Sequence, residues 1–190
     1  MKYNAFYSNG VVIVRIKDQS TTNVVTHGQV SVMYHKDEII GYNIFGLEDE
    51  LLTGGLLKQS KELNDLLNKE LAKEALPLLA VDDKDYFIVG YVKACEPLKD
   101  SKKLQLCQVD LKTKIVAIVC GSSNIAKDLK VVVALPGAVF KDGTWLKEGK
   151  VLNVTSYGMI CSDKELGLSA VSHGAYIVGD DYSVGAAFVV

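Results

Sequence analysis

Long apolar runs are missing from this chain of 190 residues. None reaches the roughly 18 residues that a membrane-crossing helix needs, so no transmembrane helix is expected. Proline is scarce, with 3 in the chain, and no low-complexity stretch is present, which excludes a proline-rich linker. There are 3 histidines, none at ligand spacing from a cysteine, and the 4 cysteines form no CxxC pair. A zinc site is therefore not expected, and Cys95, Cys107, Cys120 and Cys161 read as small buried thiols that the cytoplasm would keep reduced. There is no P-loop, GxGxxG or HExxH, and no Ser or Cys stands at motif spacing from His27, His35 or His173, so no enzyme and no cofactor are expected. Aromatics amount to 8%, thin for a protein that captures unpaired bases by stacking.

What is present is a change of character near the middle. Residues 1–87 carry nine basic and thirteen acidic side chains, whereas residues 88–153 carry eleven lysines against six acids. The second stretch therefore favours phosphate locally although the whole chain has a formal charge of −2. In the first half, Asn9-Gly10 between two β-prone runs signals a tight hairpin, because both central positions of such a turn need positive φ. Alternation from Gln29 to His35 and a run from Glu38 to Phe45 extend it into an antiparallel sheet. Leu63, Leu66, Leu67 and Leu71 recur at helical spacing, with Ser60 as N-cap and Pro77 beyond the end. From Tyr86 onward strand follows strand: 86–95, 104–110, 115–120, 131–135 and 151–154, punctuated by glycines. Five short strands in about eighty residues suit a small closed barrel. The expected organisation is an α+β domain over 1–81, an all-β five-stranded barrel over 82–169 with its boundary at Asp82-Asp83-Lys84-Asp85, and a tail over 170–190 that packs back on the first domain.

Several strings in the second half occur in a recognisable order. They are Gly90-Tyr91-Val92, Lys103-Leu104-Gln105-Leu106-Cys107-Gln108-Val109-Asp110, Ile118-Val119-Cys120-Gly121-Ser122-Ser123-Asn124-Ile125, Val133-Ala134-Leu135-Pro136-Gly137, Ser156-Tyr157-Gly158-Met159-Ile160-Cys161 and Lys164-Glu165-Leu166-Gly167-Leu168. Together they resemble the tRNA-binding domain near the N-terminus of the bacterial phenylalanyl-tRNA synthetase beta subunit, an oligonucleotide-binding (OB) fold. With a further domain ahead of the barrel, the chain is similar to small stand-alone bacterial tRNA-binding proteins. Where that family has a His-Pro-Asn-Ala-Asp string, this chain reads Leu98-Lys99-Asp100-Ser101-Lys102, which puts the usual loop geometry in question.

The resemblance implies tRNA as partner and a non-enzymatic role, by shape and phosphate contact with little sequence choice. The RNA-binding candidates are Lys102, Lys103, Asn124, Ser156, Tyr157 and Met159. The two lysines offer mobile point charges to phosphate. Asn124 could pair with a sugar or base edge, or cap a short helix at Ile125-Ala126-Lys127. Resemblance implies RNA contact for Ser156 and Met159, with barrel core as the other reading of Met159. Tyr91, Phe140, Trp145 and Tyr157 are the aromatics available for stacking. The alternative is a protein–protein adaptor whose barrel no longer binds RNA. A homodimer, or a protein partner for the N-terminal domain, remains open. The amino terminus lacks the apolar stretch of a signal peptide, so a cytoplasmic location is expected.

Overall fold

A computed structural model describes residues 3–81 and 84–189. Asp82 and Asp83, at the head of the expected boundary, lie outside the described residues. The chain divides into two compact units, Met1–Asp83 and Lys84–Val190.

The first unit is an antiparallel sheet with one helix. Its strands are β1 (Asn4–Ser8), β2 (Val11–Arg15), β3 (Asn23–His27), β4 (Val30–His35), β5 (Glu38–Phe45) and β6 (Gly55–Leu56), in the order β3-β4-β5-β2-β1-β6. Asn9 and Gly10 take φ of 51° and 78° between Ser8 and Val11, the two-residue turn expected from Asn-Gly. Helix α1 (Lys61–Lys73) starts where the Ser60 hydroxyl accepts from the Leu63 N–H, and buries Leu63, Leu67 and Leu71. These pack with Val12, Val14, Val32, Tyr42 and Ile44 from one face of the sheet. Each buried leucine contributes roughly 1.5–3 kcal/mol. After the helix, Asn68 clamps the returning chain: its Oδ1 accepts from Leu79 N–H at 2.7 Å and its Nδ2 donates to Leu79 C=O at 3.0 Å.

The second unit is a nearly closed antiparallel barrel of β7 (Phe87–Pro97), β8 (Gln105–Asp110), β9 (Ile115–Cys120), β10 (Lys130–Ala134) and β13 (Met159–Ile160), in the order β13-β10-β7-β8-β9. A hairpin of β11 (Gly149–Val151) and β12 (Val154–Ser156) precedes the last strand. Tyr157 N–H donates to Ala117 C=O at 2.9 Å, which draws the end of β12 against β9 and closes the gap. This is the α+β unit followed by an all-β barrel that the strand pattern predicted. The single strand expected over 151–154 is instead the tip of the β11–β12 hairpin, because Leu152 and Asn153 turn the chain with φ of 48° and 64°. Among the described residues no helix is long and apolar enough to cross a membrane.

Two apolar cores lie in this unit. The barrel interior holds Val92, Cys107, Val109, Ile118, Val131 and Val133. A second core, with Val89, Val132, Ala134, Phe140, Leu166 and Phe188, covers the outer face of β7 and β10. The tail builds much of it. Val89 N–H donates to Ala186 C=O and Phe188 N–H to Phe87 C=O, while Val178 N–H donates to Lys130 C=O. The tail expected to return to the first domain therefore belongs to the second unit. The reason is backbone pairing: β8 pairs with β7 only from Tyr91 onward, and the tail meets the polar groups left at residues 87–89.

Cys95 and Cys107 stand opposite each other on β7 and β8 and are joined as a disulfide. Reading all four cysteines as reduced thiols missed this, because the pairing comes from strand register. Cys120 and Cys161 are free and buried, as expected.

Candidate nucleic-acid interface

Tail and loops cover the outer face of β7 and β10 and leave the outer face of β8 and β9 uncovered by that second core, with Gln108 and Ile115 exposed there. Alternation decides what it shows. Cys107, Val109, Val116, Ile118 and Cys120 point inward and are buried. Leu106, Gln108 and Asp110 on β8 and Ile115, Ala117 and Val119 on β9 point out. Ala94 lies opposite Gln108, and Gln108 opposite Ala117, so an exposed glutamine flanked by two alanines crosses the face.

At one end of that face the β7–β8 loop carries Lys99, Lys102 and Lys103, all exposed. The departure from the family string does not leave this loop unstructured. Leu98 N–H donates to Leu104 C=O, Ser101 N–H donates to Leu98 C=O, and the Ser101 hydroxyl accepts from the N–H groups of Lys103 and Leu104 at 3.1 and 3.0 Å. Leu98 is buried beneath the turn. Serine thus supplies the side-chain acceptor that shapes the turn. Among the described residues no ion pair engages Lys99, Lys102 or Lys103. By contrast Lys93 pairs with Asp110 and Lys130 with Asp180.

At the other end of the face, where the turn leads into β9, stands a pair that the sequence reading missed in part. Lys114 Nζ lies 3.8 Å from the centre of the Tyr157 ring and 2.6 Å from its hydroxyl. Tyr157 was a candidate and Lys114 was not. The only signal for Lys114 was a lysine-bearing turn between two strands, and its partner lies 43 residues away.

The other candidates take different tasks. Ser156 is 7% exposed, and its hydroxyl accepts from Val119 N–H and donates to Gly158 C=O, both at 3.0 Å. It ties the closing segment to β9 and is not a surface contact. Val119, which it holds, faces Leu106 on β8, three residues after Lys103 of the β7–β8 loop. Gly158 has a φ of 106°, and a Cβ there would sit 2.5 Å from Ala134 C=O, so close backbone approach requires glycine. Asn124 caps no helix, since none forms at 125–127. Its Nδ2 donates to Ala175 C=O at 2.9 Å and its Oδ1 accepts from Ala175 N–H at 2.8 Å. Both halves of the amide are spent on holding the tail. Met159 is half-buried against the second core, away from the bare face.

Among the aromatics, Phe140 is buried edge-on against Phe87. Tyr91 donates to Asp128 at 2.7 Å, a bond that raises the pKa of its phenol. His173 and Asp163 pair at 2.5 Å on the surface, which holds the Asp163 carboxyl below its usual range. No group of three or more His, Cys, Asp or Glu among the described residues is arranged to hold a metal ion.

Residues 87–187 match the family model described as "Putative tRNA binding domain". The chain is 33% identical over 201 residues to the "Putative tRNA-binding protein YtpR" of Bacillus subtilis, covering 97% of this chain and 98% of that one. It is 44% identical over 104 residues to the phenylalanine–tRNA ligase beta subunit of Rhodospirillum rubrum, covering 54% of this chain but only 13% of that much longer subunit. A solved structure, a MetRS related protein from Pyrococcus horikoshii, aligns at 25% identity and a TM-score of 0.42, over 54% of this chain and 88% of that one. The family model and the full-length relative decide the matter: the chain belongs to the family defined by the tRNA-binding domain and is similar to a stand-alone member of it over nearly its whole length.

Proposed function

We propose that this chain binds tRNA without transforming it, through the bare face of β8 and β9 and the lysine loop at its end. The observation that carries this reading is the β7–β8 loop, where three exposed lysines meet no ion-pair partner among the described residues, on a barrel of the tRNA-binding family. In OB folds the face of the second and third strands, with the loop between the first and second, is where oligonucleotides lie. Those elements here are β8, β9 and loop 98–104. Lys102 and Lys103 neutralise phosphates, and Lys114 with Tyr157 presents a cation and an aromatic edge along the same surface. Ser156 and Asn124 act by positioning. With few exposed aromatics, the surface suits a folded RNA whose shape and backbone are read more than its bases.

The test is tRNA binding measured across a salt series. Affinity should fall by about 0.7–0.9 log units per log unit of salt for each phosphate neutralised. Lys102→Ala with Lys103→Ala should lower that slope by about 1.4–1.8 while leaving thermal stability unchanged. Binding that ignores salt, or an unaltered slope in the double variant, would sink the proposal.

A second reading, a protein adaptor, is favoured by one feature of the first unit. β3 is an edge strand whose residues 23–26 are all exposed, with Val24 at 52% and Val25 at 38%. It carries no lysine, proline or bulge of the kind that blunts sheet edges. A protein partner would add its own strand there. A charge placed by Val25→Lys should abolish such association and leave tRNA affinity unchanged.

A further inference from the structure

The geometry points to a reversible thiol–disulfide site at Cys95 and Cys107 that governs the lysine loop. Its regulatory half rests on the tRNA-binding reading above.

The two residues are a directly opposed cross-strand pair with Cα atoms 4.2 Å apart, the close spacing of an antiparallel pair that exchanges no backbone bonds. The ladder therefore holds the two sulfurs side by side whether or not they are joined, and both states keep the same strands. The two residues differ in exposure. Cys107 is fully buried, and Cys95 is half-buried at the edge of the barrel core, so Cys95 is the less enclosed partner and the one assigned to meet a solution thiol. Cys161 is also fully buried, and burial pushes its thiol up to about 12, which leaves almost no thiolate to react.

The position makes the bond consequential. β7 and β8 slip out of register between Val92 and Ala94, and a bulge of this kind interrupts the ladder. Val92 is also the last residue of β7 bonded toward the β10 side, through Leu129 and Asp128. Beyond it, residues 94–97 are bonded to β8 alone among the described residues. The loop with Lys99, Lys102 and Lys103 hangs from that arm. The disulfide is the covalent tie between the arm and β8, placed between the bulge and the loop.

The oxidant is a low-molecular-weight disulfide. The Cys95 thiolate attacks one of its sulfurs and expels a thiolate, leaving a mixed disulfide. The Cys107 thiolate then attacks Cys95 Sγ and expels the second. Two protein thiols are oxidised, one disulfide is reduced to two thiols, and the protons of Cys95 and Cys107 pass to the departing sulfurs. In reverse, an incoming thiolate attacks Cys95 Sγ and Cys107 leaves.

The experiment equilibrates the full chain in glutathione buffers of graded redox ratio. Intact mass should show loss of two hydrogens over a reversible transition, absent in Cys95→Ser and in Cys95→Ala. In the oxidised form the Leu98, Ser101 and Leu104 amides should exchange about tenfold more slowly. Affinity for tRNA should rise about threefold to tenfold, since a loop already ordered costs less to dock. No disulfide under oxidising buffer, or a disulfide that leaves both loop exchange and affinity unchanged, overturns the inference. If neither redox form binds tRNA, the tRNA reading fails by itself, and mass and exchange still decide whether the site exists and holds the loop.

Discussion

In the first unit a six-stranded sheet stays open, keeps β3 as an exposed edge and hides one face beneath a single helix. In the second, five strands curl around their own core, and a tail pairs with backbone that the ladder leaves over. The difference shows two ways of meeting one demand, that buried backbone be paired and apolar faces be covered. An open sheet leaves an edge for another chain. A closed barrel leaves only an outer face, and here most of that is covered except across β8 and β9. Both units nevertheless fasten their returning segments with the same device, an asparagine amide that both accepts from and donates to one backbone residue: Asn68 with Leu79, and Asn124 with Ala175.

The largest effect should come from breaking the first core. Leu67→Ala removes a fully buried leucine from the face of α1 and should cost about 2–5 kcal/mol. If the units are independent, calorimetry will show one transition moving and tRNA affinity holding; loss of both would end the comparison.

Alkaline pH should divide the units by chemistry. Burial raises Tyr3 and Tyr42 in the first unit from 10.0 to about 12, and Cys161 in the second from 9.0 to about 12. A raised pKa means that the folded state holds its proton more tightly, so stability is intact below the unfolded value and is lost as pH rises through the folded one. The first unit should weaken between pH 10 and 12, with two of the 9 tyrosines ionising only as it unfolds. Tyrosine absorbance followed beside circular dichroism checks this; early ionisation of all nine would contradict it.

Ser156→Ala leaves Val119 N–H and Gly158 C=O without their partner and should cost the barrel about 1–3 kcal/mol. A variant that loses tRNA binding at an unchanged melting temperature would return Ser156 to the surface role that the resemblance implied. Asn68→Ala and Asn124→Ala should each cost about 1–2 kcal/mol, confined to their own unit. Hydrogen exchange at Leu79 and Ala175 reads each one separately. The smallest change in stability belongs to Lys103→Ala, within about 0.5 kcal/mol, as befits an exposed loop residue.

Much of the fold was legible because it is written in local pattern. Asn9-Gly10 can turn a hairpin by itself, the leucines of α1 mark a face at helical spacing, and the barrel strands alternate inward and outward. β3 was missed because Asn23-Val24-Val25-Thr26-His27 is exposed along nearly its whole length, so no buried face imprints an alternation. The hairpin at Leu152 was missed because leucine seldom adopts positive φ.

The site was less legible. Loop 98–104 could be found from charge and family resemblance, both properties of a contiguous string. What Asn124, Ser156 and Cys95 do could not, since their partners lie 51, 37 and 12 residues away and are brought to them only by the folded chain. Sequence alone determined that there would be a mixed sheet-and-helix unit, a barrel behind it and a lysine-bearing loop upon that barrel, because hydrophobic period and charge are local. Tertiary structure alone decided which polar side chains reach solvent and which are consumed in closing the barrel, because a hydroxyl or amide is available to RNA only when the folded backbone has not already claimed it.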